Sequence, residues 1–140
     1  MSEATVIVND AGFGPDDWAG EIVAPEALAA NAPARAVNLG SDADPETLRR
    51  HLDSLDLIRV AFPSFADGRG FTIARRLRLM GYKGRLRATG HVIADQYAMA
   101  RRAGFDEIEI SQDLAARQPE EQWLRRADWR SHDYQARLRG

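Results

Sequence analysis

Leu57-Ile58-Arg59-Val60-Ala61-Phe62 is the stretch whose reading decides the fold. It is apolar almost throughout, as a strand covered on both faces must be, and Arg59 is its one exception. A loop follows over residues 63–70, rich in Ser, Asp and Gly. Residues 71–80 then carry Ile73, Ala74, Leu77 and Met80 at helical spacing, with Arg75, Arg76 and Arg78 falling mostly on the other side and Gly81 as a stop. A buried strand leading through a loop into an amphipathic helix is half of a βαβ unit. The rest of the chain is therefore searched for parallel strands joined by crossovers.

Such strands are found on both sides. Upstream, Ala36-Val37-Asn38-Leu39 reads as a strand closed by Gly40. Asp44 then caps, Pro45 fits the first helical position and Glu46 suits the positive end of the dipole. Leu48, Leu52 and Leu55 give that helix one apolar face. Downstream, residues 85–89 form a short strand between Gly84 and Gly90, and residues 91–103 read as a helix ended by Gly104. Phe105-Asp106-Glu107-Ile108-Glu109-Ile110 alternates, which predicts a strand nearer an edge. Residues 112–126 read as helical, and the polar residues 129–140 resist assignment. At the other end, Thr5-Val6-Ile7-Val8 is a β-branched strand or edge ribbon, and residues 9–17 have loop chemistry. Residues 18–34 are ambiguous: alanines favour helix, whereas Pro25 and Pro33 interrupt it, with Pro25-Glu26-Ala27-Leu28 able to open one short helix.

No repeat, low-complexity linker or composition break divides the 140 residues. The expectation is one α/β domain over 1–140: a mostly parallel sheet of four or five strands with crossover helices, either open or curled into part of a (βα) barrel. With 44% hydrophobic and 29% charged residues, the chain has enough apolar material for a core and is not disordered. A net charge of -2 argues against a general nucleic-acid binder. The absence of cysteine excludes disulfides, thiolate catalysis and cysteine-held zinc or iron–sulfur clusters. No apolar run approaches a membrane span and residues 1–10 do not read as a signal peptide, so the expected location is cytoplasmic, with no membrane partner.

In a parallel sheet the loops after the strands share one edge, where α/β proteins usually bind ligands. Three segments meet there: residues 40–44, 63–70 and 89–91. The second offers Ser64, Asp67, Gly68, Arg69 and Gly70. Its glycines let a backbone approach a ligand, and Arg69 offers a fork of donors to a small oxyanion. Turn chemistry explains the same residues, with Asp67 capping a helix and Arg69 paired to it. The third brings Thr89, Gly90, His91, Asp95 and Gln96. On a helix, His91 and Asp95 at i and i+4 suit general acid/base work, or merely a surface pair. Gln96 falls on the apolar stripe between Val92, Ile93 and Met99, Ala100. It either bonds a neighbouring backbone and fixes a loop, or faces a ligand. Histidines at 51, 91 and 132 are too scattered for a metal site, so none is expected. No dinucleotide or P-loop spacing is present, and no cofactor is identified. Eighteen of the nineteen basic residues are Arg, Lys83 being the other. Arg75, Arg76 and Arg78, with Arg85 and Arg87, form a basic cluster that is either a solvated, paired face or a dock for an acidic partner. Trp123 and Trp129 either anchor such a contact or close the core.

Three runs, 62–75, 84–96 and 102–106, resemble the bacterial family known as domain of unknown function 934, above all at Asp67-Gly68-Arg69-Gly70 and Asp95-Gln96. The likeness covers about residues 36–112, with Tyr134-Gln135 similar to the family's ending and the N-terminal third divergent. Arg85 stands where relatives commonly carry an acid, and His91 where they usually carry another residue. The resemblance implies a setting beside an assimilatory sulfite (or nitrite-type) reductase, and relatives are sometimes described as oxidoreductases of sulfite reduction. It implies no catalytic residues. Two readings follow: a non-catalytic accessory protein contacting sulfite reductase, or a small enzyme or binding domain for an oxyanion or phosphorylated metabolite at the strand ends. Catalysis and oligomeric state stay open.

Overall fold

The computed structural model describes residues 5–28 and 35–130. Pro33, His132 and the Tyr134-Gln135 ending lie outside them. Six strands form one mixed sheet: β1 (Thr5–Asn9), β2 (Gly12–Gly14), β3 (Ala36–Leu39), β4 (Leu57–Phe62), β5 (Arg85–Gly90) and β6 (Glu107–Ser111), in the order β2-β1-β6-β5-β4-β3. β3 to β6 run parallel, and β1 pairs antiparallel with both β6 and β2. The sheet is an open ribbon with β2 and β3 as its outer strands. The expected count of four or five becomes six because Gly12-Phe13-Gly14, whose glycines read as loop, zips onto β1. β6 is no edge strand either: it lies between β1 and β5.

The crossovers explain the strand order. Each step from β3 to β4 to β5 to β6 moves one place the same way, so right-handed connections stack on one face of the sheet. The first is a 3-10 helix, Pro45–Ser54, capped by the Asp44 carboxylate, which accepts from the Glu46 N–H at 3.0 Å. The cap and first position are as the sequence predicts; the helix is wound more tightly than an α-helix. Leu48, Leu52 and Leu55 are buried beneath it. The second is α1 (Arg69–Leu79), which buries Phe71, Ile73, Ala74 and Leu77. The third departs from expectation. Gly90 adopts φ 110°, Ile93 is extended, a 3-10 turn spans Ala94–Gln96, and α2 begins only at Tyr97 and ends at Ala103. The expected helix over 112–126 is likewise two, α3 (Gln112–Arg117) and α4 (Glu120–Leu124), broken at Pro119. Met99 is exposed rather than inward.

The core lies between the sheet and these helices. Ile58, Val60 and Phe62 of β4, Leu86 and Ala88 of β5, and Ile108 and Ile110 of β6 point into it. Phe62 meets Phe71 at 5.0 Å and Phe105 at 5.8 Å between ring centroids. Its near-complete burial contributes roughly 1.5–3 kcal/mol. Trp123 closes one end, edge-on to Tyr97, with its indole N–H donated to the Gln118 carbonyl at 2.8 Å. Of the two expectations for Trp123, the core one is correct.

The alternate residues of the same strands make the opposite face, and it is charged. Register places Asn38, Arg59, Arg87 and Glu107 in one row and Ala61, Thr89, Glu109 and Ile7 in the next. Arg87 is fully buried and bonds Glu107 at 2.6 Å and Glu109 at 2.9 Å. Arg85 bonds Glu107 at 2.7 Å, and Arg59 bonds Asn38 and Glu109. Residues 15–22 cross this face from β2 at one side to Val23 at the other, where Val23 bridges Val37 in parallel. Asp17 meets Arg85 at 2.8 Å and Asp16 meets Arg87 at 3.1 Å along the way. Pro25–Ala27 is then a single 3-10 turn, close to the short helix expected there.

Candidate functional site

The carboxyl ends of β3, β4, β5 and β6 share one edge of the sheet, and the three predicted segments do meet there. Residues 40–44 join 63–70 through Arg69, whose Nη2 donates to Ser41 Oγ at 2.8 Å. Residues 63–70 join the turn after β5 through Gln96, whose amide donates to the Phe65 carbonyl at 2.9 Å while its oxygen accepts from the Ile93 N–H at 3.0 Å. The His91 N–H donates to the Phe62 carbonyl, tying the residue that follows β5 to the last residue of β4.

Most of the polar side chains singled out from sequence are committed to these internal bonds. Asp67 accepts from the Arg69 Nε at 2.9 Å, from its Nη2 at 2.7 Å and from its backbone N–H at 3.1 Å. The Arg69 guanidinium holds the Asp67 carboxyl far below the usual carboxylate range, with the Arg69 N–H and Ser41 adding to it. The helix cap itself is Gly68, not Asp67. Gly70 is buried, and a Cβ there would stand 2.5 Å from the Phe62 ring, so the space it leaves is filled from inside the core. Ser64 is exposed beside these residues, and Thr89 is half-buried on the charged face.

The His91–Asp95 pair is not formed. An i, i+4 contact requires continuous helix, and the chain is extended at Ile93 between them. Asp95 instead bonds Arg126 at 2.5 Å. His91 is exposed and stands edge-on to the Phe65 ring, 5.1 Å between centroids and at 87°. Arg78 does not belong to an exposed basic face. Its guanidinium donates to the carbonyls of Tyr82, Gly84 and Gly104 and to Asp106, fastening the end of α1 to the approach to β6. Arg75 and Arg76 are exposed, with Arg76 at 3.3 Å from Asp44. Arg87 is likewise no part of a solvated face. Trp129 is half-buried, stacked by Arg101 and bonded to Asp10 at 3.3 Å.

Next to His91 is a depression of about 110 Å³ lined by Phe65, Gly90, His91, Ser111, Leu114 and Arg117. Ser111, Leu114 and Arg117 lie beyond the three loops read from sequence: they come from the carboxyl end of β6, parallel to β5, and the helix after it. Arg117 is exposed and, among the described residues, makes no hydrogen bond or ion pair. The His91 ring is also without a hydrogen bond. Ser111 Oγ accepts from the Leu114 N–H at 3.1 Å, leaving its proton free to donate. No group of three or more metal-ligating side chains comes together among the described residues, and no helix there is long and apolar enough to cross a membrane.

No curated protein and no solved structure matches the chain. A family model does match, over residues 36–140, which takes in all three of the runs that carry the resemblance and extends beyond residue 112. The chain belongs to the family that this model describes, bacterial protein of unknown function (DUF934).

Proposed function

We propose that this protein is a non-catalytic accessory of assimilatory sulfite reduction that docks on the reductase through the strand-end edge bearing Phe65 and His91. The pathway comes from the family resemblance. The observation that supports a docking role is how the signature residues are used. Asp67, Arg69, Asp95 and Gln96 bond within the fold and make the edge rigid. The aromatic pair they support faces out, with Phe65 still 42% exposed. An exposed aromatic on a rigid frame, flanked by an uncommitted Arg117, is the chemistry of an interface anchor. A pull-down of the purified protein with the sulfite reductase of the same organism tests this. Stoichiometric binding is expected, with Phe65→Ala weakening it about tenfold, or roughly 1.4 kcal/mol. Absence of binding at both low and moderate salt would end the reading.

The depression beside His91 supports a second reading, a small-oxyanion site. The Arg117 guanidinium, uncommitted among the described residues, and the unbonded His91 nitrogens line it, and its volume is well below the roughly 300 Å³ at which cofactor-sized pockets begin. Sulfite, sulfate or phosphate should then raise the melting temperature of the wild type but not of Arg117→Ala. Equal shifts in both proteins would dismiss the site.

A further inference from the structure

The segment over residues 15–22 holds the charged sheet face in an unusual way. It reaches from β2 to the far side of β3 without a ladder of backbone bonds to the sheet beneath. Backbone pairing resumes only at Val23, whose N–H donates to the Ala36 carbonyl and whose carbonyl accepts from Asn38. Between those ends the polar contacts with the face are ion pairs, from Asp16 and Asp17 to Arg87 and Arg85. The Asp17 side chain is 68% exposed even so.

The fit is also incomplete. Among the described residues, two buried side-chain nitrogens lack a hydrogen-bond partner, and both belong to this junction: Trp18 Nε1 on the segment and Arg87 Nη2 on the sheet. The Asp17 carboxylate of the segment stands 3.8 Å from Arg87 Nη2, too far for a hydrogen bond. A buried guanidinium with an idle donor is a demand for an acceptor that this segment does not fully meet. The charges agree. Without the segment, Arg59, Arg85 and Arg87 face only Glu107 and Glu109, leaving one positive charge in excess. Asp16 and Asp17 reverse that sign.

We infer that residues 15–22 are a displaceable acidic strap, and that the face beneath, centred on Arg85 and Arg87, is a docking surface for an extended acidic segment of a partner protein that competes with it. The strap supplies two carboxylates in cis; the partner supplies better-placed ones in trans and gives Arg87 Nη2 its acceptor. Displacement is favoured because it exposes the strap's own idle Trp18 N–H to water. All five charged residues of the face lie inside the family-matched region and the strap lies before it. The docking surface is independent of the edge that carries Phe65.

The probe is a synthetic peptide with the strap's own sequence, Pro15-Asp16-Asp17-Trp18-Ala19-Gly20-Glu21-Ile22. It is titrated into isotope-labelled full-length protein while the tryptophan indole N–H resonances are followed. The variant Asp16→Asn/Asp17→Asn weakens the strap and should take the peptide at least about tenfold more tightly than the wild type. That binding should fade as salt rises to about 0.5 M, where exposed charges are screened within a few ångströms. Adding Arg85→Gln should abolish it. No peptide binding to the strap variant at low salt, or binding that Arg85→Gln leaves unchanged, overturns the proposal. So does exchange of straps between two wild-type copies, seen as a dimer by sedimentation, because the occupant is then this chain itself. In the unmodified protein, salt alone should move the Trp18 indole resonance toward its exposed position and leave that of Trp123 in place. A Trp18 signal indifferent to salt refutes strap release without recourse to any variant.

Discussion

Replacing Arg87 by Met tests the account of the charged sheet face most directly. The wild-type guanidinium is completely buried and faces Glu107 at 2.6 Å, Glu109 at 2.9 Å and Asp16 at 3.1 Å. Methionine fills much of the volume and keeps the packing, but it leaves two glutamates in the sheet that are each only 7% exposed. Removing one partner from a buried ionic set costs roughly 3–5 kcal/mol, because the remaining charge keeps its desolvation penalty and loses its compensation. Here the lower end applies. Glu107 still has Arg85 at 2.7 Å, and Glu109 still has Arg59 at 3.3 Å. The expected loss is therefore about 3 kcal/mol, or roughly 10 °C in melting temperature for a chain of this size. Guanidinium unfolding, followed by the emission of the buried Trp123, measures it through the midpoint and slope. Arg87→Met/Glu107→Gln should recover at least about 1 kcal/mol of the loss, since the two sites are in contact and one orphaned charge is gone. A loss under about 1 kcal/mol for Arg87→Met would place this set among exposed ion pairs and refute the reasoning.

Two further outcomes follow from other parts of the molecule. Burial pushes the Asp10 carboxyl up, but donation from Tyr97, Arg101 and Trp129 outweighs it and leaves Asp10 below its ordinary range. A carboxyl depressed in the folded state contributes stability that is full above about pH 4 and drains away as pH falls through its folded value. Unfolding free energy measured from pH 6 downward should fall less steeply in Asp10→Asn than in the wild type, and parallel curves would refute the assignment. Gly81 and Gly90 separate backbone strain from steric conflict. Both have positive φ, but a Cβ at Gly81 meets nothing within 4 Å, whereas one at Gly90 stands 2.7 Å from the Phe62 carbonyl oxygen. Gly81→Ala should cost about 1 kcal/mol and Gly90→Ala roughly 3 kcal/mol or more, measured by the same unfolding assay; equal costs would mean that the close approach at the edge is unimportant.

What the sequence disclosed is what local rules govern. Asp44-Pro45-Glu46 starts a helix in any context that permits one, and Leu57 to Phe62 is apolar enough to be central in any α/β sheet. The misreadings arise where distant residues decide. Glu107 and Glu109 alternate with isoleucines, and alternation normally marks a solvated face. Their true partners are arginines twenty and fifty residues earlier, visible only once the strands are in register. Residues 91–103 carry helix-forming residues, yet the Gln96 side chain folds back on the Ile93 N–H and on Phe65, delaying the helix until Tyr97. Topology alone therefore brings the three loop segments together at one edge. Its composition differs, because His91–Asp95 requires a helix that tertiary bonds prevent and Arg117 comes from the helix after β6, whose strand end is not among the three loops read from sequence.

The antiparallel seam between β1 and β6 also has a consequence in time. Val8 pairs with Ile108, a hundred residues later in the chain. At a translation rate of roughly 5–20 residues per second, the N-terminal hairpin waits about 5–20 seconds on the ribosome before its neighbour exists. The crossover units from β3 to β6 close over short separations and can organise first, whereas this seam must pay a long loop closure before it yields any contact. Residues 5–14 are thus made before the crossover units and seated after them. Until then β1 offers an unpaired flank to other nascent chains, and the yield of native protein should depend on how crowded those chains are.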